Sequence, residues 1–156
     1  TEWNSIKLDG DELIVANFTE SRWFNSRITN SDARLSIFKR VYLKSTKIES
    51  TCLFGVNLAA SEMENVSFNG SNGEEGNFSG MAIMGRFEFK NAKLGRSKFS
   101  GTVFPGPVSF NSSDLRKANF KNVKFENSVD WTGAKLGGAI WIDRKICKDD
   151  SVGTCR

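Results

Sequence analysis

The sequence contains no histidine. The commonest general base and the commonest metal ligand are therefore missing. There is no glycine-rich phosphate loop and no nucleophile elbow. Asp and Glu are spread along the chain and form no column that would suggest a glycosidase pair. No catalytic residues, metal site or cofactor are expected, and an enzyme is not. No apolar run reaches the length of a membrane span, and no leader sequence is visible from Thr1 onward. Proline occurs only twice, and hydrophobic residues make up 38% of the 156 residues, little for a conventional core. Aromatics nevertheless reach 12%, with 13 Phe and 4 Trp. The few apolar residues must therefore be concentrated by position.

They recur at every fifth residue. From Trp3 the positions run Leu8, Leu13, Phe18, Trp23, Ile28, Ala33, Phe38, Leu43, Ile48, Leu53, Leu58, Met63, Phe68, Gly73, Phe78 and Ile83. A step of six then leads to Phe89, another to Phe110 and a third to Trp131, with steps of five between and onward to Leu136, Trp141 and Ile146. All 4 Trp and 10 of the 13 Phe lie on these positions, called centres below. A period of five fits neither a helix nor a simple strand. Two residues before most centres stands a small or β-branched residue, such as Ala16, Ser36, Thr51 or Ala118. Residues two apart in an extended segment share a face, so this residue and the centre both point inward. The next two residues must turn a corner, and Gly10, Asn25, Asn30, Gly70, Gly80, Gly101, Asn122 and Gly133 suit it.

The six-residue steps end 21 residues apart, which is four sides of five residues plus one. A coil of four sides follows, with the extra residues near Gly85–Arg86, Pro105–Gly106 and Asn127–Ser128 forming a ridge along one edge. Every fourth centre gives Phe18, Phe38, Leu58, Phe78, Phe99, Phe120 and Trp141, while a neighbouring column contains no aromatic residue. The expected fold is an all-β, four-sided parallel β-helix of about seven coils. Gly73 is expected to leave a gap in its column or to let the backbone collapse inward.

ANFTE (16–20), SDLRK (113–117), ANFKN (118–122) and AKLGG (134–138) resemble the consensus of the pentapeptide-repeat family. That resemblance implies a right-handed solenoid. The first domain is expected over residues 1–146, with a C-terminal cap over 147–156.

Cys147 and Cys155 flank a short Ser- and Gly-containing turn and could bridge. A metal or redox pair is the other reading, though no histidine and no second close cysteine pair completes a zinc set. The tail AIWIDRKICKDDSVGTC is similar to the ends of exported pentapeptide-repeat proteins, with Arg144 where those carry Gly. The resemblance implies a Cys147–Cys155 disulfide tying a lid over the core, and an oxidising compartment, periplasmic or extracellular. Cys52 is left over and should point outward.

Residues 1–85 carry a net charge of −3 and residues 86–156 a net charge of +7. Lys93, Arg96, Lys98, Arg116, Lys117, Lys121 and Lys135 should cluster on two adjacent sides of the last coils, a candidate anion-binding face for anionic lipid or glycan. On the first three coils Ile14, Val15, Leu35, Ile37, Cys52 and Phe54 stand at outward positions and form a candidate interaction patch, for a protein partner or self-association. A non-catalytic binding or scaffold module of an exported protein is the leading expectation. The alternatives are a nucleic-acid- or gyrase-directed protein and an exported effector or immunity domain. Members of the resembled family that mimic DNA to protect gyrase need an acidic rod, whereas this chain is +4, so nucleic acid is disfavoured as a partner.

Overall fold

The computed structural model describes residues 1–156. The chain coils so that strands twenty residues apart pair in parallel: Glu2–Asn4 on Arg22–Phe24, and Lys7–Asp9 on Arg27–Thr29. Single bridges link the other two sides, through Glu12, Asp32 and Cys52 and through Asn17, Ile37 and Asn57. The four sides are numbered here from the N-terminus, with centres Trp3, Leu8, Leu13 and Phe18 opening sides 1 to 4. Each side has seven rungs, as expected. Seven rungs span six stacking steps, so the rod is about 29 Å long at about 4.8 Å per step.

The predicted insertions are where the sequence places them. Glu64 faces Met84 while Val66 faces Phe87, a shift of one residue at Gly85–Arg86. From there the register runs in steps of 21, Phe87 to Val108 to Val129. The rings of Phe89, Phe110 and Trp131 stack in one column, with centroids 5.8 and 4.8 Å apart.

The corners show why polar residues dominate them. All eight Gly and Asn residues predicted for corners have positive φ. So do larger residues, including Glu20, Arg40, Arg96 and Lys117. For an L-residue this conformation costs about 1–2 kcal/mol, and the ladder hydrogen bonds of the neighbouring rungs hold it in place.

The buried hydroxyls two residues before the centres stitch rungs together. Ser61 donates to the Phe38 carbonyl (2.8 Å) and accepts from the Val41 amide (3.3 Å). Ser71 does the same with Ile48 and Thr51. A buried hydroxyl satisfied in both directions costs little, which explains how so polar a chain fills its interior.

Two expectations are corrected. Of the two outcomes expected at Gly73, the gap is the one overturned: a Cβ there would lie 3.1 Å from both Phe78 Cζ and Leu94 Cδ2, which already occupy the space. Gly76, two residues before Phe78, would collide with the same ring, so the paired glycines make room for Phe78. Ile146 is not an inward centre. It is 67% exposed, and Trp141 is the last inward residue of the frame. The chain reverses after Trp141, whose amide donates to the Lys145 carbonyl (2.7 Å), and Ile146 pairs antiparallel with Ile140.

Candidate functional site

The returning tail lies antiparallel along the last rungs of sides 3 and 4, with Val152 opposite Lys135. Leu136 donates to Ser151 (2.8 Å), Gly138 to Cys147 (3.0 Å) and Gly153 to Ala134 (2.9 Å). The Cys147–Cys155 disulfide is present, with Cα atoms 4.9 Å apart and Cys147 buried. The lid covers half of the end: Leu136 and Ala139 are fully buried, while Phe125 and Trp131 on sides 1 and 2 are only half-buried. Closing so short a loop is worth about 2–3 kcal/mol in the chain-entropy account. We expect reduction to speed hydrogen exchange at the amides of Leu136, Gly138 and Gly153 and to leave the Phe99 amide protected, a contrast readable by mass spectrometry.

Of the seven predicted anion-binding cations, all lie on sides 3 and 4 and are exposed, but two are already engaged. Arg116 holds Asp114 through Nε at 2.9 and 3.1 Å, and Arg96 meets Glu75 at 3.1 Å. Hydrogen bonds from Arg116, opposed by burial, keep the Asp114 carboxyl below its ordinary range. Asp114 also separates Lys93 from Lys135 in their column, and the groove beside Arg96 and Arg116 includes Glu74. Lys93, Lys98, Lys117, Lys121 and Lys135 have no ion pair. The sequence, read by residue type alone, could not show the Asp114 and Glu75 pairings.

The apolar patch is on the surface. Ile14 is 44%, Val15 62% and Leu35 53% exposed, whereas Ile37, Cys52 and Phe54 are half-buried. Cys52 carries a free thiol and faces outward on side 3. Ile14 and Phe54 share a column, but Arg34 stands between them, tied to Asp32 by its Nε at 2.9 Å. The continuous apolar stretch is the corner itself, where the Leu35 side chain leans over Gly55. Val15 and Leu35 both have positive φ, 59° and 57°, and for β-branched Val15 that conformation is an outlier.

Side 1 bears a cluster that the five-residue frame contains but that attention to centres passes over. Arg22 lies over the rings of Phe24 (5.5 Å) and Tyr42 (5.2 Å), and the Tyr42 hydroxyl donates to Glu64 at 3.0 Å. The hydrogen bond to Glu64 and burial raise the Tyr42 phenol above its ordinary value. The signal is aromatic residues at outward positions on successive rungs.

Comparison with known proteins agrees with the five-residue frame. The family model for pentapeptide repeats in nine copies matches residues 89–140. No curated protein shows significant similarity to the sequence. Among solved structures, the plasmid-mediated fluoroquinolone resistance protein QnrB1 is 15% identical over 89% of this chain and 73% of its own, at a TM-score of 0.42. HetL, a pentapeptide repeat protein involved in heterocyst differentiation regulation in the cyanobacterium Nostoc, is 16% identical, covers 93% of this chain and 91% of its own, and has a TM-score of 0.24. A pentapeptide repeat protein of the Arabidopsis thaliana thylakoid lumen is 18% identical over 73% of this chain and 68% of its own, with a TM-score of 0.33. The five-residue frame matched over residues 89–140 continues in register through the preceding rungs to Trp3, so the chain is a four-sided parallel β-solenoid whose C-terminal half carries recognisable pentapeptide repeats.

Proposed function

We propose that the chain is a non-catalytic interaction module of an exported protein and meets a protein partner through the corner between sides 3 and 4 of its first three rungs. The observation that carries this reading is the placement of Val15 and Leu35. At these positions the backbone favours Gly or Asn, water disfavours apolar side chains, and yet both residues are large, apolar and more than half exposed. Local strain together with exposed apolar surface is a reason to look for a function. Export is supported by the Cys147–Cys155 bridge, which suits an oxidising compartment. A nucleic-acid- or gyrase-directed role is less well supported, because the net charge is +4 and the cations concentrate at one end.

A second copy of the chain is the first partner to test. Leu35→Asp with Phe54→Asp should abolish association in sedimentation or in pull-down from the native envelope, and leave the melting temperature within a few degrees of wild type. Association unchanged by the double substitution overturns this choice of surface. Intact mass before and after alkylation tests export: free thiols at both Cys147 and Cys155 in protein from its native compartment would refute it.

A further inference from the structure

Side 2 carries three cations on successive rungs, Lys7, Arg27 and Lys47, whose Cα atoms are register partners. All three are exposed, and none forms an ion pair. Elsewhere on the rod cations do pair between rungs, as Arg40 does with Glu20. Carboxylates are at hand on side 2 but are held by neutral groups. Asp9 accepts from Thr29 and Asn30, each at 2.8 Å, and Glu49 accepts from Ser67 at 2.6 Å. Like charges directly opposite one another on neighbouring strands are destabilising, and within the chain the ladder is offset only in part, by the carboxylate of Asp9 within electrostatic reach of Arg27.

The ladder lies in a groove. Lys7, Asp9, Asn25, Arg27, Thr29 and Lys47 line about 550 Å³ of it, and Ser45 and Lys47 connect this space to a further 420 Å³ bordered by Asn65 and Asn69. Three features of this groove describe its ligand. The cations repeat along the rod axis at the rung spacing of about 4.8 Å, so a linear polyanion laid along the rod passes a cation at every rung. Beside them runs a parallel row, Asp9, Thr29 and Glu49, able to accept from hydroxyl groups. The short side chains of Asn25 and Ser45 add neutral donors at the rim.

We propose that the side 2 groove binds a linear polyuronate, a chain of 1,4-linked sugar acids lying along the rod with its carboxylates shared among Lys7, Arg27 and Lys47. Nucleic acid fits less well. A duplex strand presents a charge every 3.4 Å or so along its axis, and the groove has no aromatic side chain on which the bases of a single strand could stack. The site is separate from the apolar corner and does not depend on the protein-partner reading.

Calorimetric titration with a hexamer of α-1,4-linked galacturonic acid is the test, with the methyl-esterified hexamer and an oligothymidylate of similar length in parallel. The acid hexamer should bind wild type, more weakly as salt rises, and the ester should lose most of that affinity. Lys7→Gln, Arg27→Gln and Lys47→Gln combined should weaken binding tenfold or more, and Arg27→Gln alone by less. The triple variant should also melt higher than wild type at low salt, since the mutual repulsion is gone; this second readout confirms that it is folded. Lys124→Gln, Lys145→Gln and Lys148→Gln combined should bind as wild type does. No binding of the acid hexamer, equal affinity in the side 2 triple variant, or tighter binding of the oligothymidylate overturns the proposal.

Discussion

Phe110→Ala is expected to be the most damaging single truncation in the rod, costing about 4–5 kcal/mol, the upper end of the range for a buried aromatic. Phe110 is fully buried between Phe89 and Trp131, with ring planes 8° and 10° from parallel to theirs. It also meets Phe99, Phe104 and Phe120 nearly edge to face. Aromatic pairs add roughly 0.5–1.5 kcal/mol each beyond their burial, so the ring loses several favourable contacts at once. The cavity would be walled by rings that are themselves stacked above and below, and these cannot collapse into it without leaving their own partners. Phe125 offers the comparison. It lies on the last rung, is half-buried, and stacks on Phe104 from one side only. Phe125→Ala should cost about half as much. Urea denaturation of both variants measures the ratio; equal losses would mean that rungs do not lean on their neighbours on both sides.

Gly106→Ala is expected to cost about 3 kcal/mol, the upper end for overpacking, although it adds a single methyl group. A Cβ on Gly106 would overlap the carbonyl oxygen of Gly85 one rung below and lie 3.0 Å from its carbonyl carbon. The obstacle is backbone held in a ladder, so no side chain can swing away. Gly101→Ala is the control. Its φ is +72°, yet a Cβ there meets nothing within 4 Å. That change should cost only about 1–2 kcal/mol, the strain of a left-handed L-residue. Paired denaturation curves separate steric collision from backbone strain, and a smaller loss at Gly106 than at Gly101 would sink the account.

The fold was legible because the solenoid writes its geometry directly into spacing. Leu115, Phe120 and Phe125 state the length of a side, and Phe89, Phe110 and Trp131 state the number of sides. Gly73 misled because a missing side chain says nothing about which neighbour fills its place; that depends on the ring of Phe78 and on Gly76 making room for it. Ile146 misled because it holds the right spacing after the chain has already reversed, and only the pairing with Ile140 shows the turn. Surface sites were harder still. Residue type placed the cations on two sides, but whether Arg116 is available depends on Asp114 two positions earlier. The Lys7, Arg27 and Lys47 ladder was hidden by the net negative charge of the half in which it lies.

The antiparallel return of the tail closes two of the four strand edges at the C-terminal end of the rod. A parallel β-helix ends in strand edges that offer an incoming chain the next rung, the usual route to fibres. On sides 3 and 4 those edges are taken by residues 146–153 running the opposite way, so a second rod arriving there finds no parallel template. The Cys147–Cys155 bridge keeps that strand in place. The disulfide thus acts as a clasp on the blocking strand, and covers for half of the rod's end what a capping repeat covers elsewhere.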